Sequence, residues 1–189
     1  MARLDPERTR HLIVDRDGVL NEEPADGGYV REPEAFRWVP GALDALARLH
    51  AAGVRVSVAT NQAGVGRGVL SLADLERVHA RMTRDAAAAG GAIDAIFCCT
   101  HAPTDGCACR KPAPGLVTQA IHASGIDARD TLLVGDDHRD LEAGRGAGIA
   151  VALVRTGKGR ATERALAEPR PPVFDSLAAL AAAVAGGAP

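Results

Sequence analysis

Aromatic side chains are scarce: three phenylalanines, one tyrosine and one tryptophan make up 3% of 189 residues. Charge of one sign is missing too, since 22 basic residues against 24 acidic ones leave a net charge of −2. A chain with so few stacking surfaces and no basic excess lacks what holds a nucleic-acid strand, and nucleic acid is not expected as a partner. Long hydrophobic runs are absent. No stretch approaches the ~20 apolar residues that cross a bilayer, and Met1 to Arg10 has no apolar core of signal-peptide length. A soluble, cytoplasmic protein with no membrane partner is expected. Cysteine is confined to four residues between Cys98 and Cys109, too local a cluster to staple a fold of this size with disulfides. Metal binding is the better reading of that cluster.

What is present suffices for one domain, because 47% hydrophobic residues over 189 positions can fill a single core. The most informative stretch is His11-Leu12-Ile13-Val14-Asp15-Arg16-Asp17-Gly18, an apolar run that ends in two carboxylates one residue apart. Such a run reads as a buried parallel strand opening at its carboxyl end into a turn that Gly18 allows, which is where open α/β sheets place their chemistry. Residues 21–37, rich in Glu, Pro and Gly, read as an irregular loop over that end.

Alternating elements follow. Pro40-Gly41 opens a helix that stops at Gly53, and Val54 to Ala59 is a second strand running into Thr60-Asn61-Gln62. Gly64, Gly66 and Gly68 make a turn whose N–H groups could approach an anion, with Arg67 among them. Ser71 and Asp74 resemble a capping box that starts a helix reaching Gly90. Further strands are predicted over Ile93 to Cys98, Thr131 to Gly135 and Ile149 to Val154, and helices over Pro114 to Ser124, around Asp140 to Gly146 or Gly148, and over Ser176 to Val184. Cys98 reads as a core residue at a strand end. No internal repeat is visible, and the Ala-rich pieces at 86–89 and 178–185 read as ordinary helix. The expected fold is α/β, a Rossmann-like parallel sheet with helices on both faces and no large cap domain.

Three strand ends carry polar groups: Asp15 and Asp17, Thr60 and Asn61, Asp136 and Asp137. A parallel sheet brings such ends to one edge. Mg²⁺ takes carboxylate oxygens, water and substrate phosphate, and Asp15, Asp136 and Asp17 through its backbone carbonyl are the candidate ligands. Asp15 can attack phosphorus and form an aspartyl-phosphate, with Asp17 as general acid and then base. Thr60 and Lys111 are candidates to hold the transferring phosphoryl oxygens.

These segments, Asp15-Arg16-Asp17-Gly18-Val19-Leu20-Asn21, Thr60-Asn61-Gln62, Arg110-Lys111-Pro112 and Gly135-Asp136-Asp137, resemble in order the four motifs of the haloacid dehalogenase-like phosphatases. More narrowly, residues 9–160 resemble the branch of D-glycero-D-manno-heptose 1,7-bisphosphate phosphatases and histidinol-phosphatases, which carries a zinc loop. The resemblance implies a zinc-binding loop insertion, with Cys99, His101, Cys107 and Cys109 closing a structural Zn²⁺ site that leaves Cys98 outside. It further implies that Asp26, Gly27, Gly28, Tyr29, Asn61, Gln62, Ala63 and Arg110 contact substrate. The implied activity is Mg²⁺-dependent hydrolysis of a sugar phosphate, at the 7-phosphate of the heptose bisphosphate, by a monomer. Histidinol phosphate is the alternative substrate. A phospho-accepting signalling domain and a non-catalytic zinc-stabilised interaction module are the readings from other classes. Two residues depart from the branch: Ala63 where Ser is expected, and Asp137 where Lys is frequent, a change expected to weaken the hold on a second phosphate.

Overall fold

His11–Val14 forms strand β1, and all four of its side chains are buried, as expected of a strand covered on both faces. Its alternation divides the interior. Leu12 and Val14 join one apolar cluster with Val56, Val58, Leu132 and Val134, while Ile13 joins the opposite cluster with Ala59, Leu133 and Leu153. The computed structural model describes residues 4–24 and 27–186.

Six strands form one parallel sheet: β1, β2 (Arg55–Asn61), β3 (Ala95–Cys99), β4 (Thr131–Gly135), β5 (Ala150–Val154) and β6 (Val173–Phe174), in the order 3-2-1-4-5-6. The helices are α1 (Ala42–Ala51), α2 (Leu72–Ala88), α3 (Gly115–Ser124), α4 (His138–Gly146), α5 (Gly159–Ala165) and α6 (Leu177–Ala185). Leu46 and Leu49 of α1, Val78 and Met82 of α2, and Leu180 and Val184 of α6 cover the Leu12 face. Leu116 and Ala120 of α3 and Leu141 of α4 cover the Ile13 face. The Ser71 capping box is present: its hydroxyl accepts from Asp74 N at 3.1 Å and the Asp74 carboxylate accepts from Ser71 N at 3.0 Å. No described helix is long and apolar enough to cross a membrane.

Several boundaries differ from the sequence reading. β2 runs to Asn61, so Thr60 and Asn61 are strand residues held by pairing to β3. β3 ends one residue later than expected, which makes Cys99 the fully buried strand end and leaves Cys98 half-buried. α5 and β6 were not foreseen: Gly159 is the one buried residue of α5, and two residues are too short for an alternation to register. The connections from β1 to α1 and from β3 to α3 are loops, each with one 3-10 turn, at Pro33–Ala35 and Pro103–Asp105.

The chain leaves β1 for β2 and β3, then crosses back to β4 on the other side of β1. The β1/β4 junction is thus a topological switch point, and the carboxyl ends there form a crevice. Val14 lies level with both Val58 and Val134. Asp15 and Asp136, just past β1 and β4, and Thr60 near the end of β2 therefore lie at one edge of the sheet and line one cavity.

Candidate active site

Asp15 is the first residue beyond β1, anchored by its N–H to Val134 O at 3.0 Å. Its Oδ1 accepts from Arg16 N at 2.7 Å and lies 2.9 Å from Lys111 Nζ, which is 2.6 Å from Asp140 Oδ1 on its other side. Lys111 is aimed by Asn61, whose side-chain amide donates to Lys111 O at 3.0 Å and accepts from Lys111 N at 3.1 Å. Burial alone would discharge Lys111, but Asp140 and Asp15 outweigh it and hold the ammonium charged above the usual lysine range. Asp15 behaves oppositely: burial raises its carboxyl to about 7, helped by Asp140 and Asp17 and opposed by Lys111.

Asp136 follows β4 and occupies space that two glycines leave free. A Cβ on Gly18 (φ 85°) or on Gly157 (φ 54°) would stand 2.1 Å from Asp136 Oδ2. The same oxygen accepts from Lys158 N at 2.7 Å, and Thr162 Oγ1 donates to Asp136 O at 2.7 Å. Burial first, then the Asp15 charge, raise the Asp136 carboxyl to about 8. Asp140, one turn into α4 and 1% exposed, completes an acidic cluster: Asp15, Asp136 and Asp140 each offer a carboxylate oxygen within 4.8 Å of the others. Carboxylate oxygens crowded to this degree, with burial and mutual repulsion against their ionisation, are a donor set for a hard divalent cation. Asp140 was missed as a site residue. Its signal is a second acid four residues after Asp136, masked because Asp140 Oδ2 also accepts from Asp137 N at 3.1 Å as a helix cap.

Asp17 is placed differently from its neighbours. Its carboxylate accepts from Arg16 NH2 at 2.9 Å, Asn21 Nδ2 at 3.0 Å and Gln62 Nε2 at 2.7 Å. Burial disfavours its charge, but the Arg16 guanidinium and these hydrogen bonds prevail and hold the carboxyl below its usual range. The side chain is therefore not part of the acidic cluster. Gln62 is fully buried, donates to Thr60 Oγ1 at 2.8 Å as well as to Asp17, and is not among the residues that line the cavity. Lys111 likewise lies under the floor, 2% exposed.

A cavity of about 360 Å³ opens over this floor, and Asp15, Asp17, Gly27, Gly28, Tyr29, Thr60, Asn61, Ala63, Arg110 and Asp136 all line it. Asp26 falls outside the described residues. Arg67, Arg139 and Lys158 also line it, each with a neighbour: Arg67 NH1 donates to Tyr29 Oη at 3.2 Å, Arg139 forks onto Asp137 with NH2 2.7 Å from Oδ2, and Lys158 pairs with Glu23. Asp137 is thereby neutralised, its carboxyl drawn down to about 2 as the Arg139 hydrogen bonds outweigh burial. Arg110 NH1 is buried with no hydrogen-bond partner in the protein. The glycine turn is not an anion nest, since Gly66 N donates to Thr100 O at 2.9 Å and Gly68 N to Val65 O at 2.9 Å.

Beside Arg110 the loop after β3 gathers Cys99, His101, Cys107 and Cys109, one ligand atom of each within 4.8 Å of the others. The three sulfurs lie 3.3 to 3.6 Å apart without a disulfide, and His101 Nδ1 is 3.3 Å from Cys109 Sγ. Three thiols and an imidazole converging in this way are the donors of a closed tetrahedral zinc site. Cys98 is not among these converging donors, and burial pushes its thiol up to about 12.

Known proteins bear on this geometry. Residues 108–180 match the family model described as HAD-hydrolase-like. The chain is 44% identical over 176 residues to the D-glycero-beta-D-manno-heptose-1,7-bisphosphate 7-phosphatase of Pseudomonas aeruginosa, covering 92% of this chain and 96% of the relative. It is 37% identical to the D-glycero-alpha-D-manno-heptose-1,7-bisphosphate 7-phosphatase of Mycobacterium bovis, covering 94% of each. The crystal structure of D,D-heptose 1,7-bisphosphate phosphatase from B. bronchiseptica, complexed with magnesium and phosphate, superposes with a TM-score of 0.89 at 41% identity, over 95% of this chain and 100% of that one.

Proposed function

The chain belongs to the haloacid dehalogenase-like phosphatases, in the branch of the heptose 1,7-bisphosphate phosphatases, and on that footing we propose that it removes the 7-phosphate of D-glycero-D-manno-heptose 1,7-bisphosphate through an aspartyl-phosphate on Asp15. The observation that carries this reading is Asp15 on the cavity floor at the sheet's switch point, with Asp17 beside it and Arg110 presenting an unpaired N–H under the rim.

Asp15 Oδ attacks phosphorus as the bond to the sugar oxygen breaks, and Asp17 gives that oxygen its proton. Asp17 then takes a proton from water, whose oxygen attacks phosphorus and frees inorganic phosphate and the Asp15 carboxylate. In the ligand-free protein Asp17 is held as a carboxylate, ready for the second half. The negative charge of a bound phosphate favours the protonated form that the first half requires. Mg²⁺ would be held by Asp15, Asp136 and the backbone carbonyl of Asp17, with the Asp140 carboxylate within 4.8 Å of the other two carboxylates, and would supply charge neutralisation. Lys111 stands between Asp15 and Asp140, and its charge offsets their mutual repulsion. Zn²⁺ on Cys99, His101, Cys107 and Cys109 would order the loop that carries Arg110 and Lys111, with no open position for chemistry.

Arg110 is assigned the second phosphate, as a fork on its oxygens. Asp137, expected to weaken that hold, is paired with Arg139, and Glu23 on the lining is paired with Lys158. The expected result is a higher kcat/KM for the bisphosphate than for histidinol phosphate, with one phosphate released per molecule and the 1-phosphate retained. Asp15→Asn should abolish release, because an amide is a poor nucleophile. Histidinol phosphate as the better substrate, or undiminished turnover by a deamidation-checked Asp15→Asn protein, would overturn the proposal.

A further inference from the structure

Arg16 is a buried arginine, 1% exposed, in the turn between Asp15 and Asp17. A guanidinium presents five N–H donors in a rigid fork, and burying it is costly unless those donors are taken up. Nε and NH2 go to Asp17, at 3.3 and 2.9 Å from Oδ1, with NH2 also 3.1 Å from Oδ2. NH1 points the other way, 3.2 Å from Nε2 of His79 on α2. His79 does not line the cavity. Its backbone is held firmly: Val78 and Met82 on either side of it are fully buried, the Ser71 capping box starts the helix, and Thr83 Oγ1 donates to His79 O at 3.1 Å.

We propose that His79 is a positioning residue for Asp17, acting through Arg16: its neutral Nε2 accepts the NH1 hydrogen, fixes the plane of the guanidinium, and so aims the carboxyl that protonates the leaving group. This inference rests on the phosphatase reading and deepens it. Burial and the Arg16 charge hold the His79 imidazole at about 4 against the pull of Asp17, so at neutral pH Nε2 keeps its lone pair. With the acceptor removed, one buried N–H loses its partner and the fork over Asp17 is free to pivot about its remaining contacts. Asn21 and Gln62 still hold one carboxylate oxygen each, which limits the damage to aim.

A misaimed acid has a specific kinetic signature. An alkyl phosphate expels a poor leaving group and needs the proton; 4-nitrophenyl phosphate expels a stable phenolate and does not. His79→Leu, of similar bulk without an acceptor, should lower the single-turnover rate of leaving-group release by about tenfold for the sugar bisphosphate and by less than about threefold for 4-nitrophenyl phosphate, while the water step that both esters share slows equally for each. His79→Asn, polar but too short to reach Arg16, should show the same split. His79→Gln, which reaches, should restore most of the loss. Thermal melts of each variant check that folding is retained. An equal fall in the two leaving-group release rates, or a Gln variant no better than the Asn variant, overturns the role of His79 while leaving the phosphatase standing. A wild-type protein that hydrolyses neither ester sinks the phosphatase reading, and the inference with it.

Discussion

Single side chains at this site hold two jobs at once, which makes their substitution informative. Asp140 caps α4, pairs with Lys111 and completes the acidic cluster. Asp140→Asn keeps an acceptor for the cap but removes one of three negative charges, and a Mg²⁺ titration of phosphate release should show the metal required at about tenfold higher concentration. Gly18→Ala is expected to be harsher, since its Cβ would enter Asp136 at a φ of 85°. Gly157→Ala meets the same oxygen from the other side. Both should lose more than about tenfold in Mg²⁺-dependent turnover, and activity near wild type in either would disprove the wedge. At this scale the sequence was legible wherever a polar residue ended a strong apolar run, as with Asp15 and Asp136. It was not legible where orientation decides the role: nothing in Thr60-Asn61-Gln62 says that Gln62 turns down onto Asp17 while Asn61 lines the cavity.

Elements couple to the site through their ends. The Cys/His loop begins inside β3 at Cys99 and runs into Arg110, which lines the cavity, and Lys111 beneath it. Purified protein should hold about one zinc per chain; Cys107→Ser should lose it and lower activity while the Mg²⁺ requirement persists, and Cys98→Ser should retain it. Zinc content unchanged in the Cys107 variant would refute the ligand set. The sheet carries a pH dependence of its own. His11 of β1 bonds Ser57 Oγ of β2 through Nε2 at 3.0 Å and lies 3.5 Å from Thr131 Oγ1 of β4. Burial, then the Arg55 charge, against Asp94, lower it from 6.5 to about 4. The unfolded chain thus takes up this proton near pH 6.5 and the folded one only near pH 4, so its stabilising share is complete above pH 6.5 and declines as pH falls towards 4. Between pH 7 and pH 5 the loss is about 2 kcal/mol. His79, Asp15 and Asp136 also change their contribution over this range, so the share of His11 is read as the difference between wild type and His11→Gln in urea melts at the two values, with the variant losing less. The predicted strands at β1 and β4 matched their observed bounds because a buried parallel strand is a continuous apolar run. α5, with one buried residue, left no such trace.

For the molecule as a whole, alternation of strands and helices was enough to foresee a parallel sheet covered on both faces, but not the order of its strands. Order depends on which faces fit together, and only the resemblance carried that information. The order has a further consequence, for synthesis on the ribosome. β1 is made before both of its neighbours, β2 and β4, and β4 begins at Thr131. Until β4 has emerged, the central strand has one open flank of unpaired N–H and C=O groups between apolar side chains, the kind of edge that recruits other chains. A fragment of residues 1–130 should therefore sediment as aggregates where the full chain does not. Nascent copies crowded on one messenger are at their most vulnerable during that interval, and a chaperone that shields β1 until residue 135 is out would raise the yield of folded protein without altering its stability.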